Sequence, residues 1–328
     1  MAGITGQGTT FNLPNYTGEL FAVSPQDTSF LSAIGGLTGG ESVDSERFDW
    51  ETYDLRTPDA VRQRLEGANA PTAEARVRGH VSNVVEIHQE ALELTYSKQA
   101  ATGMLAGSGS NHPNAGSLTG TNPVLDEVNW QLHQHLIQIA RDVETTFING
   151  TFQEPANNST TRRTRGLLEA IVTNKKAAGN AALSADLILD VMQEVWESGG
   201  IMVDETRTLL CAGYQKRALT TEFVSKDIYR QDSRTVGGVS VDTILTDFGR
   251  VNVMLNRYVP IDTVIIASLE QCAPKFLAIP GKGHFFTEPL AKQGSADRFQ
   301  LYGEIGLAYG NEIAHGKLTG LSSLPAAS

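Results

Sequence analysis

The sequence predicts an α+β fold in which a compact body carries long extensions, and three observations lead there. Residues Pro123 to Asn149 hold one apolar stripe at helical spacing. Residues 47 to 97 hold two long alternating runs around a polar tip. From Thr208 onward, short strand and helix patterns succeed one another. Forty per cent of the 328 residues are hydrophobic, enough to bury a real core and to build two domains, or one domain with extensions. The formal net charge of -11 argues against a general affinity for nucleic acid, which needs clustered Lys and Arg.

Residues 1 to 46 form a Gly-, Ser- and Thr-rich arm whose charges are all acidic: Glu19, Asp27, Glu41, Asp44 and Glu46. Composition alone fits a disordered leader. The spaced apolar anchors Phe11, Leu20-Phe21, Phe30-Leu31 and Ile34 suit an extended arm that orders by lying across neighbours. No basic segment followed by an apolar run opens the chain, so no signal peptide is expected. Aliphatic runs such as Val264-Ile265-Ile266-Ala267 are too short to span a bilayer, and a soluble protein without membrane contact is expected.

The outgoing β run places Phe48 and Trp50 against Asp49 and Glu51, then shifts phase to Tyr53 and Leu55. The return run carries Val77, Val81, Val85 and Ile87, then Leu92, Leu94 and Tyr96 on the other phase. Paired shifts of this kind predict bulges or strong twist in a long two-stranded ribbon. Its charges interleave Arg56, Arg62, Arg64, Arg76 and Arg78 with Asp59, Glu66 and Glu74. That pattern fits a solvated hairpin as well as a contact surface, but a ribbon this long is marginal alone in water and needs something to lie on. A neighbouring subunit is the simplest candidate.

After the Gly/Ser/Asn linker 102 to 121, the long stripe runs through Leu125, Val128, Leu132, Leu136, Ile139, Val143 and Phe147. Asn122 suits the N-cap, Pro123 the first helical position, and Gly150 the stop. Such a helix would be a rod of roughly 40 Å, the spine of the subunit. Residues 153 to 165 are loop-like and end in Arg162, Arg163 and Arg165, which suit phosphate or a carboxylate partner equally well. Ser184 caps a second amphipathic helix carrying Leu187, Ile188, Val191, Met192 and Val195, with Gly199-Gly200 as its stop. Beyond it are a strand at 208 to 212, a helix at 214 to 223, a hairpin about Asp247-Phe248-Gly249 and a buried strand at 262 to 267. A long closing strand runs through Phe299, Leu301, Ile305, Leu307 and Tyr309.

Nothing in the chain announces chemistry. His133 and His135 point about 200° apart on a helix and cannot share one ion. Gly281-Lys282-Gly283-His284 lacks the spacing of a phosphate loop and reads as a turn. Cys211 and Cys272 sit in apolar surroundings and read as buried reduced thiols, which fits cytoplasmic assembly. No catalytic residue, cofactor site or metal site is assigned.

From Thr243 to Leu321 the chain resembles the C-terminal half of a tailed-phage major capsid protein family, the group related to the SU-ten-type phage capsids. The resemblance rests on Asp247-Phe248-Gly249, Asn256-Arg257, Pro260, Pro289-Leu290-Ala291-Lys292, Gly303-Glu304, Asn311 and Ala314-His315. One departure is Gln293-Gly294-Ser295, where the family pattern has Thr-Gly-Asp. The resemblance implies the Hong Kong 97-type fold: an N-terminal arm at 1–46, an extended loop at 47–100 and a peripheral domain at 101–200 with its spine helix at 123–149. An axial domain at 201–295 and a C-terminal return strand at 296–328 would complete it.

It also implies hexamers and pentamers of the chain itself, tiling an icosahedral head around packaged double-stranded DNA and assembled in the cytoplasm of a bacterial host. The DNA would be touched only weakly and non-specifically. A portal protein, a separate scaffolding protein and an optional decoration protein are the further partners implied. The ribbon would meet the adjacent subunit through Arg56, Asp59, Arg62, Arg64, Glu66, Arg76 and Arg78, and the arm through Phe11, Leu20, Phe21 and Phe30. Residues 46 to 97 contain no lysine, the first of the chain being Lys98, so a covalent weld through the ribbon is not expected. The rival readings are an encapsulin-like nanocompartment shell and a soluble α/β enzyme.

Overall fold

The computed structural model describes residues 24–53, 55, 58–100, 127–157, 159–200, 207–225, 234–236 and 239–323. Three anchors expected in the arm, Phe11, Leu20 and Phe21, and one residue expected in the loop, Arg56, lie outside the described residues, as does the expected helix start at 123–126.

The helices are α1 (Ser29–Ile34), α2 (Tyr96–Ala100), α3 (Glu127–Asn149), α4 (Leu167–Ala170), α5 (Ala185–Glu197) and α6 (Gly213–Ser225). The first seven strands are β1 (Glu41–Val43), β2 (Arg47–Tyr53), β3 (Arg78–Val84), β4 (Glu86–Thr95), β5 (Lys175–Ala177), β6 (Arg207–Cys211) and β7 (Arg234–Val236). The rest are β8 (Val239–Thr246), β9 (Gly249–Leu255), β10 (Val264–Ser268), β11 (Ala273–Leu277), β12 (Phe285–Leu290), β13 (Ala296–Ala308) and β14 (Gly316–Thr319).

Two compact units emerge. Among the described residues, one holds 24–26, 90–100, 127–137 and 287–301, and the other holds the remainder, so α3, β4, β12 and β13 each supply residues to both.

The larger unit contains a seven-stranded sheet in the order β5-β14-β10-β6-β9-β8-β7. Every residue of β6 and of β10 is buried, which explains why Leu209-Leu210-Cys211 and Val264-Ile265-Ile266-Ala267 read as continuous apolar runs rather than as alternations. One face packs Leu209, Cys211, Val253, Val264 and Ile266 against Ile188, Val191, Met192 and Val195 of α5 and Leu219 of α6. The alternate residues Leu210, Met254 and Ile265 are equally buried on the opposite face. Helix α5 begins as its sequence dictates: the Ser184 hydroxyl accepts the Leu187 N–H at 3.3 Å. It ends where Gly199 takes a φ of +82° and the Gly200 N–H donates to the Val195 carbonyl. The β8–β9 hairpin turns over Asp247-Phe248, with Thr246 opposite Gly249 and Gly249 at a φ of +106°.

The five-stranded sheet runs β1-β11-β13-β12, with β4 also paired to β13. The expected division at residue 295 does not follow the strands. β11 and β12 belong with β13 in the five-stranded sheet, whereas β14, near the chain's end, pairs with β10 in the seven-stranded one. Strand order depends on which hydrogen-bonding edges meet in space, and no local pattern encodes that.

The ribbon is shorter than its sequence suggests. β2 pairs with β3 from Arg47↔Val84 to Tyr53↔Arg78, and there the ladder ends. β4 leaves for the five-stranded sheet, and the change of partner falls at Val85, whose N–H donates to the Glu46 carbonyl at 2.9 Å. The phase shift therefore marks a strand passing between sheets rather than a bulge inside one ribbon. Val84, Val85 and Glu86 are buried in succession at that crossing, while Val77 and Ile87, expected on the inward phase, are exposed.

Candidate assembly surfaces

The ribbon is rooted firmly on the body of its own subunit. Phe48 is buried against Val85 and Ala308 and stacks on Trp50 at 5.9 Å. Trp50 meets Tyr309 edge-on at 5.0 Å and donates its indole N–H to the Gly310 carbonyl at 2.7 Å. Gly306 is glycine because a Cβ there would come within 2.7 Å of the Val84 carbonyl and 2.8 Å of the Phe48 ring. Asn83, fully buried, donates to the Leu307 and Arg165 carbonyls and accepts from the Arg165 and Val84 amides. Its polar neighbours in sequence gave no sign of this role.

Beyond the root the ribbon exposes what it carries. Tyr53, Leu55, Val61, Leu65 and Val77 are among the most exposed large apolar side chains of the molecule. The expected charges sort into two groups. Asp59, Arg62, Glu74 and Arg76 close on one another: Arg62 pairs with Glu74 and, at 4.0 Å, with Asp59, and Arg76 meets Glu74 at 3.4 Å. Arg78 pairs across the ladder with Glu51 at 2.7 Å. Only Arg64 and Glu66, flanking Leu65, make no ion pair among the described residues. Within the chain, then, most of the expected charges pair inside the one loop.

The arm differs from expectation in a second way. Instead of remaining extended to residue 46, it folds into α1, and Phe30 and Leu31 are buried in their own subunit. Glu144, fully buried on α3, explains this. Its carboxylate accepts the Phe30 N–H at 2.9 Å and the Leu31 N–H at 2.6 Å, and also the Asn256 side-chain amide. A carboxylate at the N-terminal turn of α1 satisfies amides that the helix cannot. Burial pushes the Glu144 carboxyl above its ordinary range, opposed by those hydrogen bonds and aided by nearby Asp27. Asn256 also donates to Ser29, and Arg257 pairs with Asp27 at 2.8 Å, so the Asn-Arg motif of the family resemblance fastens the arm.

The spine helix shows two characters along its length. Ile139, Val143, Phe147 and Ile148 are buried, while Val128 and Leu132 are half-buried and Leu136 stays 36% exposed. Among the described residues, the fully buried positions of this continuous stripe all lie in its C-terminal half.

Two of the three arginines after the spine, Arg162 and Arg165, find side-chain partners within the chain, while Arg163 is exposed and pairs with Gln153 through its backbone. Arg162 binds Glu304 at 2.8 Å and Glu46 at 3.4 Å; Glu304 also accepts the Tyr302 hydroxyl at 2.7 Å. Burial and the facing Glu304 push the Tyr302 hydroxyl up to about 12. Arg165 lies over the Phe152 ring at 4.4 Å and donates to Tyr309 at 3.1 Å. Other family-pattern residues are structural too. The buried His315 accepts the Ser268 N–H on Nδ1 at 3.2 Å, which places its proton on Nε2, facing the Tyr309 carbonyl at 2.7 Å. Asn311 caps the turn that follows by accepting the Ile313 N–H. In the smaller unit, Lys292 of the departed turn region pairs with Asp297 at 2.9 Å, and Asp297 accepts from Gln99 at 3.0 Å.

No group of three or more His, Cys, Asp or Glu that could hold a metal occurs among the described residues. Burial pushes both Cys thiols up to about 12, far from the reactive thiolate range. Gly281 and Gly283 take positive φ in a tight turn bridged between Ile279 and Gly283, with Lys282 over the Phe286 ring.

Comparison with known proteins agrees with this picture of a subunit built for contact. Residues 3–322 match the family model for the SU10 major capsid protein. The major capsid protein of Escherichia phage Phieco32 is 22% identical over 358 aligned positions, covering 93% of either chain. The capsid asymmetric unit of cyanophage A-1(L) superposes with a TM-score of 0.64 at 9% identity, covering 97% of this chain and 100% of that one. The capsid of Myoviridae phage XM1 gives 0.58 at 14% identity over 98% and 100%. The holo-SrpI encapsulin complex of Synechococcus elongatus gives 0.62 at 11% identity over 97% and 95%. These likenesses establish the Hong Kong 97-type fold. With a family model spanning nearly its whole length, the chain belongs to the SU10 major capsid protein family.

Proposed function

We propose that this capsid subunit assembles as hexamers and pentamers into an icosahedral head around double-stranded DNA, each ribbon lying over an adjacent subunit. The single observation that carries the reading is the ribbon itself: rigidly rooted at Phe48, Trp50 and Asn83, yet exposing Tyr53, Leu55, Val61, Leu65 and Val77. Apolar surface held out by a fixed root is stabilised only when another surface covers it. The half-covered N-terminal part of α3 supports the same conclusion. Together these could bury an interface in the obligate range of roughly 2,000 Å² or more.

An acidic subunit suits a container that must release its DNA, since a strongly basic lining would hold the phosphates. With no lysine in residues 46 to 97, the shell is held without a covalent weld through the ribbon. Assembly in the host cytoplasm, with a separate scaffolding protein, a portal protein and an optional decoration protein, completes the proposal. As a capsid-family member the chain is a structural protein and not an enzyme.

The test is to express the chain with and without candidate scaffolding proteins and image purified particles. Closed shells whose denaturing gels show only monomer bands are expected; covalent ladders would contradict the non-covalent shell, and uniform particles from the chain alone would remove the need for a scaffold. The encapsulin likeness supports a second reading, a nanocompartment. Packaged protein cargo in place of DNA would favour it.

A further inference from the structure

Beside the ribbon's ladder lies a cavity of about 400 Å³. Its walls include Thr52 and His80 of the ribbon and Arg165, Val172, Tyr309 and Glu312 of the body. Val172 is a β-branched side chain left 72% exposed. Glu312 supplies an anionic wall, held in place by the Val172 and Thr173 amides and the Thr173 hydroxyl. Arg165 supplies a cationic one, fixed by Phe152 and Tyr309. The cavity therefore brings the exposed Val172 together with one anionic and one cationic wall, the latter also 3.8 Å from Glu169.

The ribbon's tip carries the complementary set of groups. Arg64, Leu65 and Glu66 place an apolar side chain, 85% exposed, between a cation and an anion that make no ion pair among the described residues. All other charged loop residues with described side chains near this tip are already paired there. The tip does not fill the cavity of its own chain, as the exposure of both Leu65 and Val172 shows.

We propose that Arg64-Leu65-Glu66 of one copy docks into this cavity of a second copy, with Leu65 on Val172, Arg64 toward Glu312 and Glu66 toward Arg165 and His80. This rests on the capsid reading and specifies which surfaces of two subunits meet. A contact of this type fixes register, because a slip along the ribbon would bring like charges together.

The test is disulfide trapping in assembled particles carrying Leu65→Cys and Val172→Cys, both on exposed side chains. The native Cys211 and Cys272 are buried and do not compete. After mild oxidation, non-reducing denaturing gels are expected to show dimers and longer ladders from the double variant alone, collapsing to monomer with reductant. Monomer bands from well-formed double-variant particles would overturn the proposal, as would equal ladders from Leu65→Cys alone. If the double variant does not assemble, p-benzoylphenylalanine in place of Leu65 gives the same readout. Photo-cross-links mapping to residues 170–173 or 309–312 of another copy support the docking, and cross-links confined to other segments overturn it. Absence of particles from the unsubstituted chain co-expressed with its scaffolding protein would sink the capsid reading and this proposal together, an outcome distinct from intact particles without the cross-link.

Discussion

The seven-stranded sheet and the two-stranded ribbon use similar residues to opposite ends. In the sheet, Leu209, Val253 and Ile266 are buried under α5 and α6, and nothing outside the chain is needed to complete them. In the ribbon, Tyr53, Leu65 and Val77 have no second layer, and what order the tip has comes from Arg62, Glu74 and their neighbours pairing around it. The difference lies in the number of layers: three or more strands with a covering helix form a self-sufficient core, whereas two strands do not. The sheet is where this protein is stable, and the ribbon is where it is unfinished. α3 repeats the contrast along a single helix, buried from Ile139 to Ile148 and half-covered before that.

The sharpest way to break this comparison is to truncate a side chain on either side of it. Phe147→Ala, in the buried half of α3, is expected to cost the subunit about 3–5 kcal/mol in urea unfolding. Leu136→Ala, in the half-covered part, should cost about 1 kcal/mol or less in the free subunit while lowering particle yield. Equal losses of subunit stability would show that the two halves are not different.

Glu144→Ala should be next in size. It strips the acceptor from two backbone amides and from Asn256, at about 1–3 kcal/mol for a buried group left unsatisfied. Hydrogen exchange at the Phe30 and Leu31 amides should accelerate before the body of the subunit unfolds. The pH dependence follows from the direction of the shift. A carboxyl whose folded pKa lies above its unfolded value binds its proton more tightly when folded, so stability falls as pH rises from about 4.5 through the elevated folded value. Wild type should therefore lose stability relative to Glu144→Gln across that window, and a difference between the two that does not change with pH would refute the shift.

Leu65→Asp is expected to leave subunit unfolding within about 0.5 kcal/mol of wild type, because the side chain touches almost nothing in its own chain. Its effect should appear in sedimentation, as capsomers or free subunits in place of shells. The smallest effect belongs to Arg78→Ala: the exposed pair with Glu51 is worth about 0–1 kcal/mol, and less in high salt. A larger loss would mean that the pair is desolvated in the particle.

Local pattern went far here. The spine's course, the Ser184 cap and Gly199 stop of α5, the hairpin at Asp247-Phe248-Gly249 and the buried strand after Asp262 were all readable, because periodicity and capping act over a few residues. The motifs from Thr243 to Leu321 carried the family. Burial of Glu144 and Asn83, and the pairing of Arg162, were not legible, since each is satisfied by a partner far along the chain: Phe30, Leu307 and Glu304.

By itself, then, the sequence determined the spine helix, α5, the hairpin at Asp247-Phe248-Gly249 and the buried strand after Asp262, that a charged flap projects beyond the core, and which family the chain resembles. Tertiary structure alone decided that β4 leaves the ribbon at Val85, that Phe30 is buried at home, and that most of the loop's charges pair with each other. The physical reason is that hydrogen-bonding edges, buried carboxylates and ion pairs choose partners by proximity in space, and proximity is fixed only once the whole chain has folded.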